Sequence, residues 1–193
     1  MNPIFAVALE LRAFCARHAW RFCFLGGIAV QRWGEPRLTQ DVELSVLTGF
    51  GSEARYVDLL LGGFAGRRPD ARDFALRHRV LLVESVSGIP LDVALGAMPF
   101  EARAVKRASA FGVGAGASLQ TCLAEDLVVF KVFAGREKDW LDVEGVLLRQ
   151  GESLDTELVL RELEPLLDLK GTPEAAVRLR AILAQAAFRS RQS

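Results

Sequence analysis

The chain has 193 residues, 51% of them hydrophobic, and its 24 Lys+Arg balance 24 Asp+Glu to a formal net charge of zero. That length suits one domain, or one domain with a helical appendage. The zero balance argues against a protein coated in positive charge for tight nonspecific nucleic-acid binding, and no uninterrupted apolar stretch approaches the roughly 20 residues of a membrane span.

In chain order, Ile4, Val7, Leu11, Phe14, Cys15 and His18 recur at helical spacing, which predicts an amphipathic helix over residues 4–18. An aromatic-rich strand follows at 20–25, stopped by Gly26-Gly27. A short helix is predicted over 28–33, ended by Gly34-Glu35-Pro36. Residues 39–47 alternate as a strand, and 53–61 read as a helix. Residues 79–85 and 89–95 read as two strands joined by a Ser87-Gly88 turn, with Pro90 at an edge or an entry position. Residues 100–107 read as a further short strand, and the glycine-containing stretch 111–117 as a loop. From Thr121, a candidate N-cap, the pattern turns helical, with Gly135 ending the first helix. Further helices are predicted over 137–148, 155–168 and 173–188, the last opened by Thr172-Pro173. The apolar stripe of Leu158, Leu163, Leu166, Leu167, Leu179, Ile182 and Leu183 reads as core in preference to an oligomer surface.

The N-terminus lacks the basic start, apolar run and small-residue cleavage site of a signal peptide. The chain therefore reads as soluble and cytoplasmic, with no membrane partner. Cys15, Cys23 and Cys122 form no C-x-x-C pair, and His18 and His78 lie far apart in sequence. That usage points to reduced, buried thiols in preference to a zinc site.

The chemistry concentrates in three acids. On a strand, Asp41 and Glu43 share one face and Val42 takes the other. Two neighbouring carboxylates repel, and a divalent cation is an obvious compensation. Solvated acids on a half-exposed strand are the plain alternative. Asp92 is the sole charge of a strongly apolar strand. If that strand neighbours the first, the three acids can hold two metal ions about 4 Å apart, as two-metal phosphoryl-transfer sites do. Gly26-Gly27, between strand and helix, lets a backbone come close to a phosphate at a helix N-terminus.

Leu25-Gly26-Gly27-Ile28-Ala29-Val30 followed by Arg37-Leu38-Thr39-Gln40-Asp41-Val42-Glu43-Leu44 resembles the nucleotidyltransferase signature, a G-[GS] turn, a short helix and R-x-T-x-D-h-[DE]-h. The segment from Glu125 to Asp142, with Lys131, Arg136, Asp139 and Asp142, resembles the matching element of AbiEii-type toxins. The resemblance covers roughly residues 20–150 and implies the fold of the DNA polymerase β superfamily. That fold is α/β, a mixed sheet with flanking helices followed by a C-terminal helical region. The division expected is a core over 1–118 and a helical region over 119–193 packed on it. By the same resemblance, Gly26 and Gly27 contact nucleotide phosphates, with Arg37 and Thr39 in the same nucleotide-binding set. Asp41, Glu43 and Asp92 bind Mg2+, with Mn2+ as an alternative, and Asp92 helps deprotonate the attacking hydroxyl. Lys131 neutralises the triphosphate, and Arg136 and Asp139 form an ion pair that fixes the helix or orients the substrate.

The implied activity is transfer of a nucleoside monophosphate from an NTP to a hydroxyl of an RNA 3′ end such as a tRNA, a protein or a small molecule. A cognate antitoxin is the implied partner if the chain is a toxin. Arg67, Arg68, Arg72, Arg77 and Arg79 cluster in mid-chain, where they either track phosphates or form a solvated loop. Glu43 departs from the aspartate of many relatives and is longer by one methylene. This keeps open a second class, a degenerate fold that binds nucleotide or a partner protein without turnover.

Overall fold

In the computed structural model of the chain, residues 2–190 are described, with side chains described through residue 185. The contacts divide the chain into two units. One takes in the chain up to Ile28 together with Leu38–Cys122, and the other Ala29–Arg37 together with the chain from Leu123 onward.

The first unit is built on a seven-stranded mixed sheet of order β3-β4-β5-β2-β1-β7-β6. Its strands are β1 (Phe22–Phe24), β2 (Val42–Leu47), β3 (Ala65–Gly66), β4 (Val80–Glu84), β5 (Pro90–Gly96), β6 (Ser109–Gly114) and β7 (Ala117–Thr121). β2 runs parallel to β5 and antiparallel to β1, and β1 runs parallel to β7. β4 and β5 form the hairpin that the Ser87-Gly88 turn predicts. Pro90 opens a central strand, where its missing N–H falls at the entry.

Alternation along β2 sets the two faces. Val42, Leu44 and Val46 are fully buried and join Leu91, Val93 and Leu95 of β5 and Leu81 and Val83 of β4 in one core. Helices α1 (Pro3–Arg17), α3 (Glu53–Leu61) and α4 (Ala71–His78) add Leu11, Phe14, Val57, Leu60 and Ala75 to that core. Asn2 caps α1, its side chain accepting from the N–H of Ile4 at 3.0 Å. All three cysteines are buried, and burial pushes the Cys15 thiol up to about 12.

Three sequence expectations need correction. Residues 100–107 are helical, not extended, within α5 (Pro99–Arg107). Pro99 suits the first helical position, and the Glu101 carboxylate accepts from the N–H groups of Ala97 and Met98, both at 2.8 Å. Phe100 and Ala104, one helical turn apart, are buried. Residues 111–117 are not a loop but the hairpin of β6 and β7. Its glycines serve the register shift at Gly112/Gly114 and a turn through positive φ at Gly114, Ala115 and Gly116. Thr121 is not an N-cap but the last residue of β7, paired with Phe24, and the N–H of Cys122 donates to the carbonyl of Phe24. The helix begins later, at Ala124, because the sheet ladder claims that backbone first.

The second unit is helical. Beside the segment Ala29–Arg37 it comprises α6 (Ala124–Ala134), α7 (Glu137–Gln150), α8 (Thr156–Lys170), α9 (Glu174–Ser190) and a 3-10 turn at Gly151–Ser153. Gly135 ends α6 at φ +73, as expected for a C-terminal glycine. Of the apolar stripe, Leu163, Leu167 and Leu179 are buried, and Leu158, Leu166, Ile182 and Leu183 are half-buried. No helix among the described residues is long and apolar enough to cross a membrane.

Leu91 is fully buried on the core face, whereas Leu82 is half-buried on the other. Leu91→Ala is expected to cost about 2–5 kcal/mol, and Leu82→Ala clearly less, in urea unfolding midpoints followed by circular dichroism.

Candidate functional site

The parallel ladder between β2 and β5 pairs Glu43 with Asp92, and Leu82 of β4 lies opposite Asp92 on the other side. Neighbouring strands run about 4.8 Å apart, and paired positions present their side chains to the same face. The two carboxylates therefore share the face opposite the main core, and both residues are half-buried. The ladder starts at Val42, so Asp41 sits at a bend one residue ahead of it, and Thr39 and Gln40 are also outside the strand. Among the described residues, no three His, Cys, Asp or Glu side chains are gathered closely enough to hold an ion.

The side-chain directions account for this. The Asp92 carboxylate is ion-paired with the guanidinium of Arg67, which follows β3. The Glu43 carboxylate leans the other way, over Gly26 at the end of β1. A Cβ on Gly26 would fall 1.3 Å from Glu43 Oε2. In sheet order, β3 and β1 lie on opposite sides of the β5-β2 pair. The two carboxylates are thus drawn toward opposite edges.

Helix α2 (Gly26–Trp33) begins at the glycines themselves. Gly26 has φ +52, a conformation that suits glycine. Its missing side chain is the space into which the longer Glu43 folds, so the extra methylene of Glu43 is accommodated locally. Gly27 plays the same part for Thr39, whose Oγ1 would lie 2.2 Å from a Cβ there. Thr39 is 5% exposed, and its hydroxyl has no protein hydrogen-bond partner. An orphaned buried hydroxyl costs on the order of 1–3 kcal/mol, so it is a group waiting for a ligand or a water. Carboxylate oxygens are the donors that magnesium and manganese take, usually one or two from protein beside substrate phosphates. On donor chemistry, Asp41, Glu43 and Asp92 fit such an ion.

The remaining sequence-singled residues lie in the second unit, around a buried charge network. Lys131 Nζ on α6 lies 2.9 Å from Asp142 Oδ2 and 3.2 Å from Asp139 Oδ1, both on α7. The Arg37 guanidinium grips Asp142 with two bonds, at 2.7 and 2.9 Å. Arg136 grips Asp139 at 2.6 and 3.2 Å, the ion pair that the family resemblance implies. Lys131, Asp139 and Asp142 are each at most 5% exposed. Burial pushes both aspartates up. The hydrogen bonds from Arg136 and Arg37 and the Lys131 charge outweigh it and hold both carboxyls below the usual range. The same helix holds the segment ahead of Arg37. Arg149 donates to the Gly34 carbonyl at 2.8 Å, Gln150 to the Trp33 carbonyl at 2.6 Å, and Gly145 lies against Glu35.

Two partnerships escape sequence reading. Arg67 with Asp92 spans 25 residues and Arg37 with Asp142 spans 105, and no periodicity links either pair. The mid-chain arginines are all ion-paired: Arg68 and Arg77 with Asp70, Arg72 with Asp58, and Arg79 with Glu53. Their guanidinium groups hold the Asp58, Asp70 and Glu53 carboxyls below the usual range. This bears against the cluster as a ready phosphate track.

Two outcomes follow from these contacts. Gly27→Ala meets the stiff Cγ2 and Cβ of Thr39 and is expected to cost about 1–3 kcal/mol. Gly26→Ala meets only the mobile end of Glu43 and is expected to cost about 1 kcal/mol of left-handed strain while displacing that carboxylate. Thermal melts read both. Depressed carboxyls stabilise the fold above their unfolded value near 3.8, and that gain is lost as pH falls through the lower folded value. Asp142→Asn is therefore expected to destabilise by about 3 kcal/mol at neutral pH, with the gap from the native chain closing below pH 3.8 in acid unfolding curves.

No protein-family model matches the chain, and no curated protein matches it. Among solved structures, the antibiotic-resistance factor ANT(2'')-Ia aligns with a TM-score of 0.52 at 16% identity, over 94% of this chain and 98% of that one. An antigenic nucleotidyltransferase-like protein from Paracoccidioides brasiliensis aligns with a TM-score of 0.46 at 14% identity, over 89% and 90%. The chain shares the fold of ANT(2'')-Ia, and the nucleotidyltransferase-type α/β class expected from its sequence is the one it adopts.

Proposed function

We propose that the chain is a metal-dependent nucleotidyltransferase that moves a nucleoside monophosphate from an NTP to an acceptor hydroxyl, whose oxygen displaces pyrophosphate from the α-phosphorus. The observation that carries this is the in-register pairing of Glu43 with Asp92 on one face, beside the Gly26-Gly27 turn and the orphaned Thr39 hydroxyl. Asp41, Glu43 and Asp92 would hold Mg2+ or Mn2+, which supplies neutralisation of phosphate charge when bound. Asp92 takes the proton from the attacking hydroxyl. The N–H groups at the start of α2 and the Thr39 hydroxyl donate to phosphate oxygens. Catalysis is then mainly positioning and charge matching.

Lys131 already faces two buried carboxylates, so its role shifts from the triphosphate to positioning. With Arg136, Asp139 and Asp142 it fixes Arg37, two residues ahead of Thr39. The acceptor is the open variable. The AbiEii-type pattern from Glu125 to Asp142 favours RNA or protein and brings a cognate antitoxin as partner. The fold shared with an antibiotic-resistance factor brings in a small-molecule acceptor.

One observation favours binding of nucleotide or a partner protein without turnover, namely that Asp92 is held by Arg67. Label transfer separates the two readings. Each α-labelled NTP is incubated with Mg2+ or Mn2+ and with RNA, the protein itself or an aminoglycoside panel. The expected result is labelled acceptor with the native chain and a loss of at least about a hundredfold with Asp41→Ala or Glu43→Ala. Nucleotide binding without transfer under every condition would establish the non-catalytic reading.

A further inference from the structure

Arg67 stands at the end of β3, its N–H donating to the Leu82 carbonyl at 3.1 Å, which anchors its backbone beside β4. Its side chain is 27% exposed, and that of Asp92 is 34% exposed. The guanidinium thus reaches across β4 to a carboxylate on the face where Glu43 lies in register. Neighbouring carboxylates repel, and a nearby positive charge relieves that repulsion when no metal is bound. Arg67 supplies it from within the chain, and it does so by pulling Asp92 away from Glu43.

We propose that Arg67 is the resident counter-cation of this acidic site, and that a divalent cation binds by taking Asp92 from it. The inference rests on Glu43 and Asp92 being cation ligands, and it assigns Arg67 a positioning role toward them. Several features of the pair fit such an exchange. It is partly open to solvent, and exposed ion pairs are weak enough to be broken by a ligand of higher charge. A guanidinium cannot give up its proton, so its charge persists in both states. Once Asp92 turns back toward β2, its carboxylate and that of Glu43 stand on adjacent strands at one level of the sheet. An ion between them can then draw on both carboxylates, as magnesium usually takes one or two from protein. Arg67 therefore sets the threshold cation concentration at which the site assembles, and the released guanidinium remains on the same face to meet the charge of an incoming phosphate.

The test is a double-mutant cycle on the full chain, with Mn2+ alone as probe and free Mn2+ read by electron paramagnetic resonance. Arg67→Gln is expected to bind Mn2+ about three- to tenfold more tightly than the native chain. Arg67→Lys, which keeps the charge but loses the fork, falls between them. In an Asp92→Asn background, Arg67→Gln is expected to change nothing. Circular dichroism confirms that each variant is folded, and Arg67→Met repeats the measurement should Arg67→Gln be unstable. Equal or weaker Mn2+ binding by Arg67→Gln would overturn the proposal. A gain that persists in Asp92→Asn would also overturn it, since it would reflect net charge alone. So would absence of Mn2+ binding by every variant at millimolar metal. The readout uses neither NTP nor acceptor. Failed label transfer beside an intact cycle would sink the transferase reading alone, and active transfer beside a flat cycle would sink only the role of Arg67.

Discussion

The acidic face depends on one constraint, the register of β2 against β5. The six paired positions from Val42–Leu91 to Leu47–Gly96 fix which side chains meet the core and which meet the opposite face. A slip of one residue would turn Glu43 toward Leu81 and Val93 and expose Val42 or Leu44 in exchange. The apolar residues of three strands exclude any odd slip, because Val42, Leu44, Val46, Leu91, Val93, Leu95, Leu81 and Val83 are buried together only while the alternation of the strands stays in phase. The hydrophobic core thereby places the two acids side by side, although it touches neither of them.

Sequence patterning carries much of this. The alternation of residues 42–47, the hairpin around Ser87-Gly88, the helix Glu53–Leu61 and the stop at Gly135 are local signals, and the chain follows them. The errors fall where a local signal competes with a neighbour. Residues 100–107 carry helical spacing at Phe100 and Ala104, but only the Pro99 and Glu101 start signals separate that from a short strand. Residues 111–117 look like a loop because glycine is the residue that a bulge and a tight hairpin also require. Thr121 has the chemistry of a cap, yet β1 takes its backbone first.

The candidate site divides along the same line. Asp41, Glu43, Asp92 and the glycines are singled out by a recurring pattern, and alternation tells which face of its strand each acid takes, but that β2 and β5 are neighbours is seen only in the fold. What the acids and lysine touch is not legible. Arg67 beside Asp92, and Arg37 beside Asp142 and Lys131, are meetings of distant segments. The Lys131 network also illustrates that a buried charge is tolerable only when answered. One ammonium faces two carboxylates, and each carboxylate is further gripped by an arginine. Breaking one member strands the rest, so the network specifies one arrangement of α6, α7 and the segment before Thr39 more than it adds net stability.

The paired arginines of the middle segment have a consequence for how the fold meets anions. Each guanidinium from Arg67 to Arg79 is answered by a carboxylate in contact with it. Fields of such close pairs cancel within about one Debye length, ~8 Å at physiological salt. While these pairs are closed, the five arginines add little long-range attraction for an anion. On the proposed reading, discrimination among anions is then left to short-range contacts at Gly26, Gly27 and Thr39, and this segment adds little salt dependence to the approach of a nucleotide.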